Sequence, residues 1–258
     1  MKELLDENGT HSGYRLRVTG HSLGAGAAVI LALLLRCEYR NVRCLAFSPP
    51  GCTTSANLAD ECAGWTTSYI LDTDIIPRVS VESFEALRDE ILEMIARIKI
   101  PKYKVVRYRG QRDGKGMSLD EFLADSLHHK EDIEESKFVE QLREFREFQK
   151  TLKAKHHLSY VSLFPPGKII QLFASDSFAL KMMRSADEMA SSSTEILENP
   201  YTARWAEKTD FREVVLSSHF LSDHKTANVK AELQAMAKRF GLKQPYSSVL
   251  SGGDDLHV

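Results

Sequence analysis

Near the start of the chain, a serine stands between two glycines in the run Gly20-His-Ser-Leu-Gly24. A β-type segment, residues 15–19, precedes this run, and an apolar helical segment, residues 23–36, follows it. The pattern is typical of a nucleophile elbow, in which a sharp strand-to-helix turn holds the serine hydroxyl clear of the backbone. An ordinary turn whose serine caps the helix is the alternative. The strand before the turn and the helix after it favour Ser22 as a nucleophile.

The neighbours of Ser22 have expected roles of their own. A side chain in place of Gly20 or Gly24 is expected to collide with the adjoining strand and helix. The Leu23 N–H lies at the start of the helix, where it can donate to an oxyanion that develops as the serine attacks a carbonyl. The ring of His21 is expected to point away from the serine and to have a packing role.

A serine hydroxyl is a poor nucleophile near neutral pH, so it needs a base, which is normally a histidine oriented by a carboxylate. On this elbow the chain order is serine, then acid, then histidine, and that order excludes His11 and His21. Five further histidines lie in a charged segment or in the tail, where exposed rings are expected: His128, His129, His156, His157 and His257. His219 and His224 remain. His224, at a loop-to-helix junction, is the better placed of the two.

Two aspartates compete for the role of the acid. Both follow the third predicted strand, residues 67–72. Asp72 ends that strand, whereas Asp74 lies deeper in the turn, before a proline that ends the strand pairing. Asp60 is earlier in the chain and is expected to be helical. The spacing favours Asp74 and leaves Asp72 open.

The elements that must position these residues alternate between strands and helices. Strands are predicted at residues 15–19, 42–48, 67–72, 168–173, 177–181 and 213–217, and helices at residues 23–36, 56–64, 81–99 and 227–240. This alternation predicts an α/β fold with a mostly parallel sheet, right-handed crossovers and flanking helices. Ligands bind at the carboxyl ends of the strands in such sheets. Ser22 and the two competing aspartates fall at those ends.

Between the candidate acid and the candidate base, residues 113–157 are strongly charged. Phe138, Leu142 and Phe145 form a helical stripe within this segment. We interpret it as an inserted helical segment, solvated or lid-like rather than a site for a specific partner. The whole chain, residues 1–258, is expected to form one domain that includes this insertion and ends in a flexible tail at residues 252–258.

Composition narrows the function classes. The 258 residues are 43% hydrophobic and 27% charged, and the net charge of −2 gives no field that would attract nucleic acid. The spacing of Cys37, Cys44, Cys52 and Cys62 fits no usual zinc pattern and suggests reduced thiols in an intracellular protein. The longest uncharged apolar run, residues 23–35, is too short to span a bilayer as a helix. No signal peptide and no transmembrane segment are therefore expected in this chain.

Several short runs resemble the class 3 lipase family, and most closely its sn-1-specific diacylglycerol lipase branch. The runs are Gly20-His-Ser-Leu-Gly-Ala-Gly26, Phe47-Ser-Pro-Pro-Gly51 and Asp74-Ile-Ile-Pro-Arg78. Residues 165–170 and 211–217, and then Asp223-His224, are similar to the same branch further along. The matches are dispersed over residues 14–80 and 160–240 and keep the same order, which makes them more specific than the elbow alone.

The resemblance implies an α/β-hydrolase fold with Ser22 as nucleophile, Asp74 as orienting acid and His224 as base. It implies hydrolysis of a glycerolipid ester, of the diacylglycerol type, through an acyl-enzyme at a membrane or lipid surface. No metal and no organic cofactor are implied. A catalytically impaired lipase-like binding or signalling module, and a soluble carboxylesterase or phospholipase A1, are the alternatives.

The chain also departs from the pattern of this family. Members of the branch carry membrane spans before the catalytic domain, and their sheet has further strands before the elbow strand. The resemblance therefore implies a C-terminal portion of the catalytic domain, without its N-terminal strands and without one oxyanion donor. We expect this chain alone to have weak or no activity and to associate. The expected location is cytoplasmic or membrane-associated, with a membrane-anchored parent.

Overall fold

The computed structural model describes residues 9–101, 103–104, 126–128, 137–155, 161–174, 201–239 and 241. The chain divides into two compact units, one of Met1–Ser80 with Ser162–Val258 and one of Val81–Val161. The strand predicted at residues 177–181 and the tail at residues 252–258 lie outside the described residues. The organisation into one domain with an insertion stays a prediction.

The described strands are β1 (Arg17–His21), β2 (Arg43–Phe47), β3 (Thr54–Ser55), β4 (Thr66–Leu71), β5 (Leu163–Phe164), β6 (Lys168–Ala174) and β7 (Tyr201–Ala206). The helices are α1 (Leu23–Leu35), α2 (Ala56–Cys62), α3 (Val81–Arg97), α4 (Lys137–Lys155) and α5 (Thr226–Arg239). Two 3₁₀ turns complete the elements, at Ile76–Arg78 and Lys208–Phe211.

A five-stranded sheet in the order β1-β2-β4-β6-β7 forms the centre of the first unit. In this sheet β1, β2, β4 and β6 run parallel to one another, and β7 is antiparallel to β6. A small antiparallel ladder joins β3 and β5. The predicted mostly parallel α/β sheet with flanking helices is confirmed. The expectation that N-terminal strands of such a sheet are missing from this chain stays a prediction.

The strand predicted at residues 213–217 is wrong, because this segment is an irregular loop. The edge of β6 where a last strand could pair is occupied by β7, from Ile169↔Ala206 to Ala174↔Tyr201. The Arg78 guanidinium donates instead to the carbonyls of Asp210, at 2.9 Å, and Glu213, at 3.2 Å. The backbone at the start of this loop is therefore hydrogen-bonded to the buried Arg78 side chain and not to a strand of the sheet.

Small residues allow α1 to pack closely on the sheet. Its buried positions recur at the three- and four-residue spacing of one helix face: Ala25, Ala28, Val29 and Ala32. They form one cluster with Val42, Cys44 and Ala46 of the neighbouring strand region. In another cluster, Val229 of α5 packs with Leu71 of β4 and Leu172 of β6. These contacts hold the helices that begin after the candidate nucleophile and after the candidate base.

The second unit pairs α3 with α4. The Arg88 guanidinium lies 5.6 Å from the centre of the Phe145 ring and donates to Gln149 Oε1 at 3.3 Å. Lys153 Nζ forms an ion pair with Glu85 at 2.6 Å. The helix α4 falls within the predicted insertion, of which residues 113–125, 129–136 and 156–157 lie outside the described residues. Over the part of the chain that is described, no helix is both long and apolar enough to cross a bilayer.

Candidate active site

Ser22 occupies a strained turn between β1 and α1. Its backbone has φ 57° and ψ −129°, a left-handed conformation that a side chain other than glycine's rarely adopts. Its N–H donates to the carbonyl of Phe47 at 2.9 Å, and its own carbonyl accepts from the N–H of Ala25 at 2.9 Å. The turn is therefore fixed on one side by the neighbouring strand β2 and on the other by the first turn of the helix.

The two glycines of the elbow are not equivalent. A Cβ on Gly20 would overlap the carbonyl of Gly24 and would lie 2.8 Å from the Ala25 nitrogen. A Cβ on Gly24 would meet no atom within 4 Å. The expected collision is therefore found at Gly20, and the expectation for Gly24 is wrong because its Cβ direction leads into open space.

Left-handed backbone recurs at the carboxyl edge of the sheet. The positive-φ residues other than glycine in the described part of the chain are Ser22, Ser48 and Asp72, and each directly follows a parallel strand. The chain thus turns sharply out of β1, β2 and β4 at the same edge. This geometry brings the residue after β1 close to the turn after β4, where the candidate acids lie.

The side chains of Ser22, His224 and Asp74, called the triad from here on, form a hydrogen-bonded series. His224 Nε2 lies 2.9 Å from Ser22 Oγ. His224 Nδ1 lies 3.1 Å and 3.2 Å from the two carboxylate oxygens of Asp74. Because a carboxylate only accepts, the proton belongs on Nδ1, and the lone pair on Nε2 faces the serine hydroxyl. This arrangement can remove the hydroxyl proton as the oxygen attacks an electrophile.

The surroundings of Asp74 keep its carboxylate oriented. The residue is fully buried, at 0% exposure, and Oδ1 also accepts from the Ile76 N–H at 3.0 Å. This bond follows from the 3₁₀ turn that begins at Ile76, where Pro77 stops the strand pairing. The turn after β4 thus directs one carboxylate oxygen to the backbone and leaves both oxygens within reach of the imidazole.

The competing candidates lie elsewhere. Asp72 acts through its backbone at the end of β4, donating from N–H to the Leu172 carbonyl at 2.7 Å. Its own carbonyl accepts from Gln171 Nε2 at 3.0 Å. His219 is exposed, and its backbone N–H donates to Ser217 Oγ at 3.1 Å. Asp60, in α2 as expected, forms an ion pair with Lys208.

A polar network beside the triad was not predicted from the sequence. Asp223 Oδ2 accepts from both the N–H of Thr73, at 3.1 Å, and its hydroxyl, at 2.8 Å. Since the Thr73 proton is used there, the Ser217 hydroxyl donates to Thr73 Oγ1 at 2.6 Å. Burial raises the pKa of Asp223, and the two bonds from Thr73 oppose that shift. The network connects the turn that carries the candidate acid, Asp74, to the loop that carries the candidate base, His224.

The ring of His21 packs against His224, the candidate base. Its Nε2 is 2.8 Å from the backbone carbonyl of His224, and the two ring centres are 4.7 Å apart with a 36° angle between the planes. The sequence indicated a packing role for this ring but not its partner. A contact across 203 positions of sequence leaves no local signal, and only its place beside Ser22 hinted at a role.

Arg78 supports the loop that leads to the base. Its side chain is 5% exposed and its guanidinium lies 4.9 Å from the centre of the Phe211 ring. Burial lowers the pKa of Arg78, while the carboxylates of Asp74 and Asp210 act in the opposite direction. Through the carbonyls of Asp210 and Glu213, this cation fixes the start of the loop that ends at His224.

Comparisons with known proteins bear on this geometry. Residues 1–84 match the family model described as lipase (class 3). This part of the chain is similar to the class 3 lipases. The resemblance inferred from the sequence is confirmed. The matched residues include Ser22 and Asp74, whereas His224 lies beyond them and reaches the other two through the fold.

Relatives within the lipases are named for diacylglycerol. The chain is 33% identical over 231 residues to diacylglycerol lipase-beta of Mus musculus, and 29% identical over 212 residues to diacylglycerol lipase-alpha of Homo sapiens. Each alignment covers 82% of this chain, but only 30% and 18% of the two relatives. The chain thus spans less than a third of the length of the curated relatives that it matches.

Among solved structures, a crystal structure of M37 lipase is 24% identical to the chain with a TM-score of 0.27. The similarity covers 42% of this chain and 34% of that one. A TM-score of this size supports no conclusion about the fold.

The Leu23 N–H, the expected oxyanion donor, lies at the start of α1. The N–H groups of Ala25 and Gly26 are bonded to the Ser22 carbonyl, so the preceding Leu23 N–H lies before the first bond within the helix. Leu23 itself is 79% exposed. In the described ranges, no cluster of histidine, cysteine or acidic side chains has the arrangement of a metal site.

Proposed function

We propose that this chain is a serine ester hydrolase that cleaves a glycerolipid ester of the diacylglycerol type. The observation that carries the proposal is the pair of hydrogen bonds of His224, to Ser22 on one side and to Asp74 on the other. The names of the matched relatives support the substrate class. Exposed apolar side chains next to the site, Leu23 at 79% and Leu221 at 63%, support an acyl substrate.

The proposed reaction begins when Ser22 Oγ attacks the ester carbonyl and its proton passes to His224 Nε2. Asp74 holds the imidazole in the Nδ1–H tautomer and stabilises the imidazolium that forms. The Leu23 N–H donates to the carbonyl oxygen as it becomes negative. His224 then gives the proton to the departing glycerol oxygen, which breaks the ester bond and leaves an acyl group on Ser22.

In the second half, a water molecule takes the place of the glycerol. His224 removes one proton from the water as its oxygen attacks the acyl carbonyl, and that proton returns to Ser22 Oγ when the fatty acid leaves. The water thus supplies the hydroxyl of the fatty acid and one proton, so the hydrolysis balances without any other reactant. Every step uses groups that the triad and the Leu23 backbone supply.

The test compares hydrolysis of a short-chain ester and of a diacylglycerol by the full chain and by two serine variants. Ser22→Ala is expected to abolish both activities. Ser218→Ala, in which an exposed loop hydroxyl is lost, is the matched control and is expected to keep them. With a single oxyanion donor, turnover is expected to be lower by a factor of ~10²–10³ than with two. Binding of diacylglycerol vesicles without any hydrolysis would contradict the proposal and favour a lipase-like binding module.

A further inference from the structure

His21 makes a contact that the proposed mechanism does not use. It is the last residue of β1, half-buried, and directly precedes Ser22. Its side chain reaches the backbone of His224, while the next side chain along the chain, that of Ser22, reaches the ring of the same histidine. Two consecutive residues thus bind the base at two points, one on its main chain and one on its imidazole.

The direction of the His21 hydrogen bond follows from the chemistry of its partner. A backbone carbonyl can only accept, so His21 Nε2 carries the proton and donates it to the His224 oxygen. In a neutral imidazole this places the proton of His21 on Nε2 and leaves Nδ1 without one. The Asp74 carboxylate demands the reverse in His224, with the proton on Nδ1. The two rings, 4.7 Å apart, therefore need opposite tautomers.

We propose that His21 is a positioning residue for the base, and that it acts as an Nε2–H donor that holds the His224 backbone where Nε2 of the base meets Ser22 Oγ. The ring of His21 adds a flat surface against which the imidazole of His224 rests. The nucleophile Ser22 and the positioning residue His21 are neighbours at the end of β1. If the end of β1 shifts, Ser22 and His21 move together, so their spacing relative to each other is kept.

The physical need for such a group lies in the loop that carries the base. His224 lies two residues before α5, in a loop that forms no part of the described sheet. Asp74 holds the imidazole, and the N–H of the peptide unit after His224 is bonded as well, from Lys225 to the Ser222 carbonyl at 3.0 Å. The bond from His21 holds the carbonyl of that same peptide unit, and geometric precision of this kind affects the chemical step more than substrate binding.

Spectroscopy tests the inference without any dependence on activity. Long-range ¹H–¹⁵N correlation spectra of the full chain at neutral pH report which nitrogen of each imidazole is protonated, and His21→Gln and His224→Ala assign the signals. The expected result is a proton on Nε2 of His21 and on Nδ1 of His224. A proton on Nδ1 of His21, or averaged signals for that ring, would overturn the inference.

Kinetics provide the second arm, which rests on the proposed function. His21→Gln keeps an N–H donor at the same reach, whereas His21→Leu removes it and keeps apolar bulk. We expect kcat for a soluble short-chain ester to fall about tenfold in His21→Leu, with KM within about twofold, and to recover largely in His21→Gln. Equal kcat values in both variants and the wild type would overturn the positioning role.

The two arms separate this inference from the proposed function. If Ser22→Ala hydrolyses the ester as fast as the wild type does, the proposed function fails. The protonation of His21 and His224 seen in the spectra then still tests the inference. If hydrolysis depends on Ser22 but His21→Leu leaves kcat unchanged, the proposed function stands and the inference fails.

Discussion

Thr73 and Asp223 bind each other through two hydrogen bonds, although 150 positions of sequence separate them. Thr73 directly precedes the candidate acid Asp74, and Asp223 directly precedes the candidate base His224. The acid and the base are therefore joined twice, by their own bond and by a bond between their preceding residues. This double connection between the turn after β4 and the loop before α5 fixes the distance that proton transfer requires.

The raised pKa of Asp223 predicts a pH-dependent stability. Burial favours the protonated carboxyl in the folded chain, so the folded state binds more protons than the unfolded state above the ordinary value of 3.8. The stabilisation is present below that pH and is lost as the pH rises through the raised folded value. Asp223→Asn keeps an oxygen that accepts from Thr73 and does not titrate. We expect this variant to gain stability relative to wild type as the pH rises from about 4 to 7.

Urea unfolding of wild type and Asp223→Asn across this pH range measures the difference. Thr73→Val, which lacks the hydroxyl donor but keeps the shape of the side chain, is expected to lose about 1–3 kcal/mol at every pH. If the free energy of unfolding of the wild type increased relative to that of Asp223→Asn as the pH rises, the bonds from Thr73 would outweigh the burial of the carboxylate.

Replacement of the acid separates the two candidate aspartates. Asp74→Asn preserves the size of the side chain but no longer requires the proton on His224 Nδ1, so we expect kcat to fall by about 10⁴. Asp72→Asn is the matched control, because asparagine tolerates the positive φ of 38° at this position. Turnover of a short-chain ester measures both. A larger loss of kcat in Asp72→Asn than in Asp74→Asn would show that Asp72, and not Asp74, is the acid.

The two elbow glycines should respond in opposite ways to alanine. Gly20→Ala places a Cβ against the Gly24 carbonyl. We expect this variant to lose the turn or to lower the free energy of unfolding by about 3 kcal/mol. Gly24→Ala meets open space within a helix, and we expect a gain of about 0.5–1 kcal/mol. Thermal unfolding distinguishes the variants. Equal destabilisation by both would mean that the elbow packs differently around position 24.

The Leu23 N–H can be removed without a change of side chain. Incorporation of the α-hydroxy analogue of leucine at position 23 replaces the amide by an ester, which cannot donate. We expect turnover to fall by ~10²–10³ if this group stabilises the oxyanion. Leu23→Ala keeps the N–H and should retain turnover of a small soluble ester. Unchanged turnover in the ester-containing chain would remove Leu23 from the oxyanion site.

Local patterns in the sequence predicted much of the fold. The parallel strands β1, β2, β4 and β6 and the helices predicted between them each carry a local pattern that does not depend on distant residues. The strand predicted at residues 213–217 failed because its apolar Val-Val-Leu run resembles a strand in isolation. Whether such a run joins a sheet depends on a free edge, and β7 already occupies the edge of β6.

The site was predictable to the extent that it lies on turns with local signals. Ser22 follows from the elbow, and the turn before Pro77 favoured Asp74 over Asp72. The choice between His219 and His224, by contrast, depends on the path of the loop before α5, which pairs with no strand of the described sheet. The roles of His21 and of the pair Thr73 and Asp223 depend on contacts across 203 and 150 positions, which no spacing rule within one sequence reveals.

Covalent trapping of the nucleophile tests the central claim most directly. The full chain is incubated with a fluorophosphonate, and peptide mass spectrometry locates the adduct while its rate of formation is followed in wild type and His224→Ala. The account predicts a single adduct on Ser22, formed far more slowly when the His224 imidazole is absent. An adduct on another residue, or labelling of Ser22 at the same rate in His224→Ala, would contradict it.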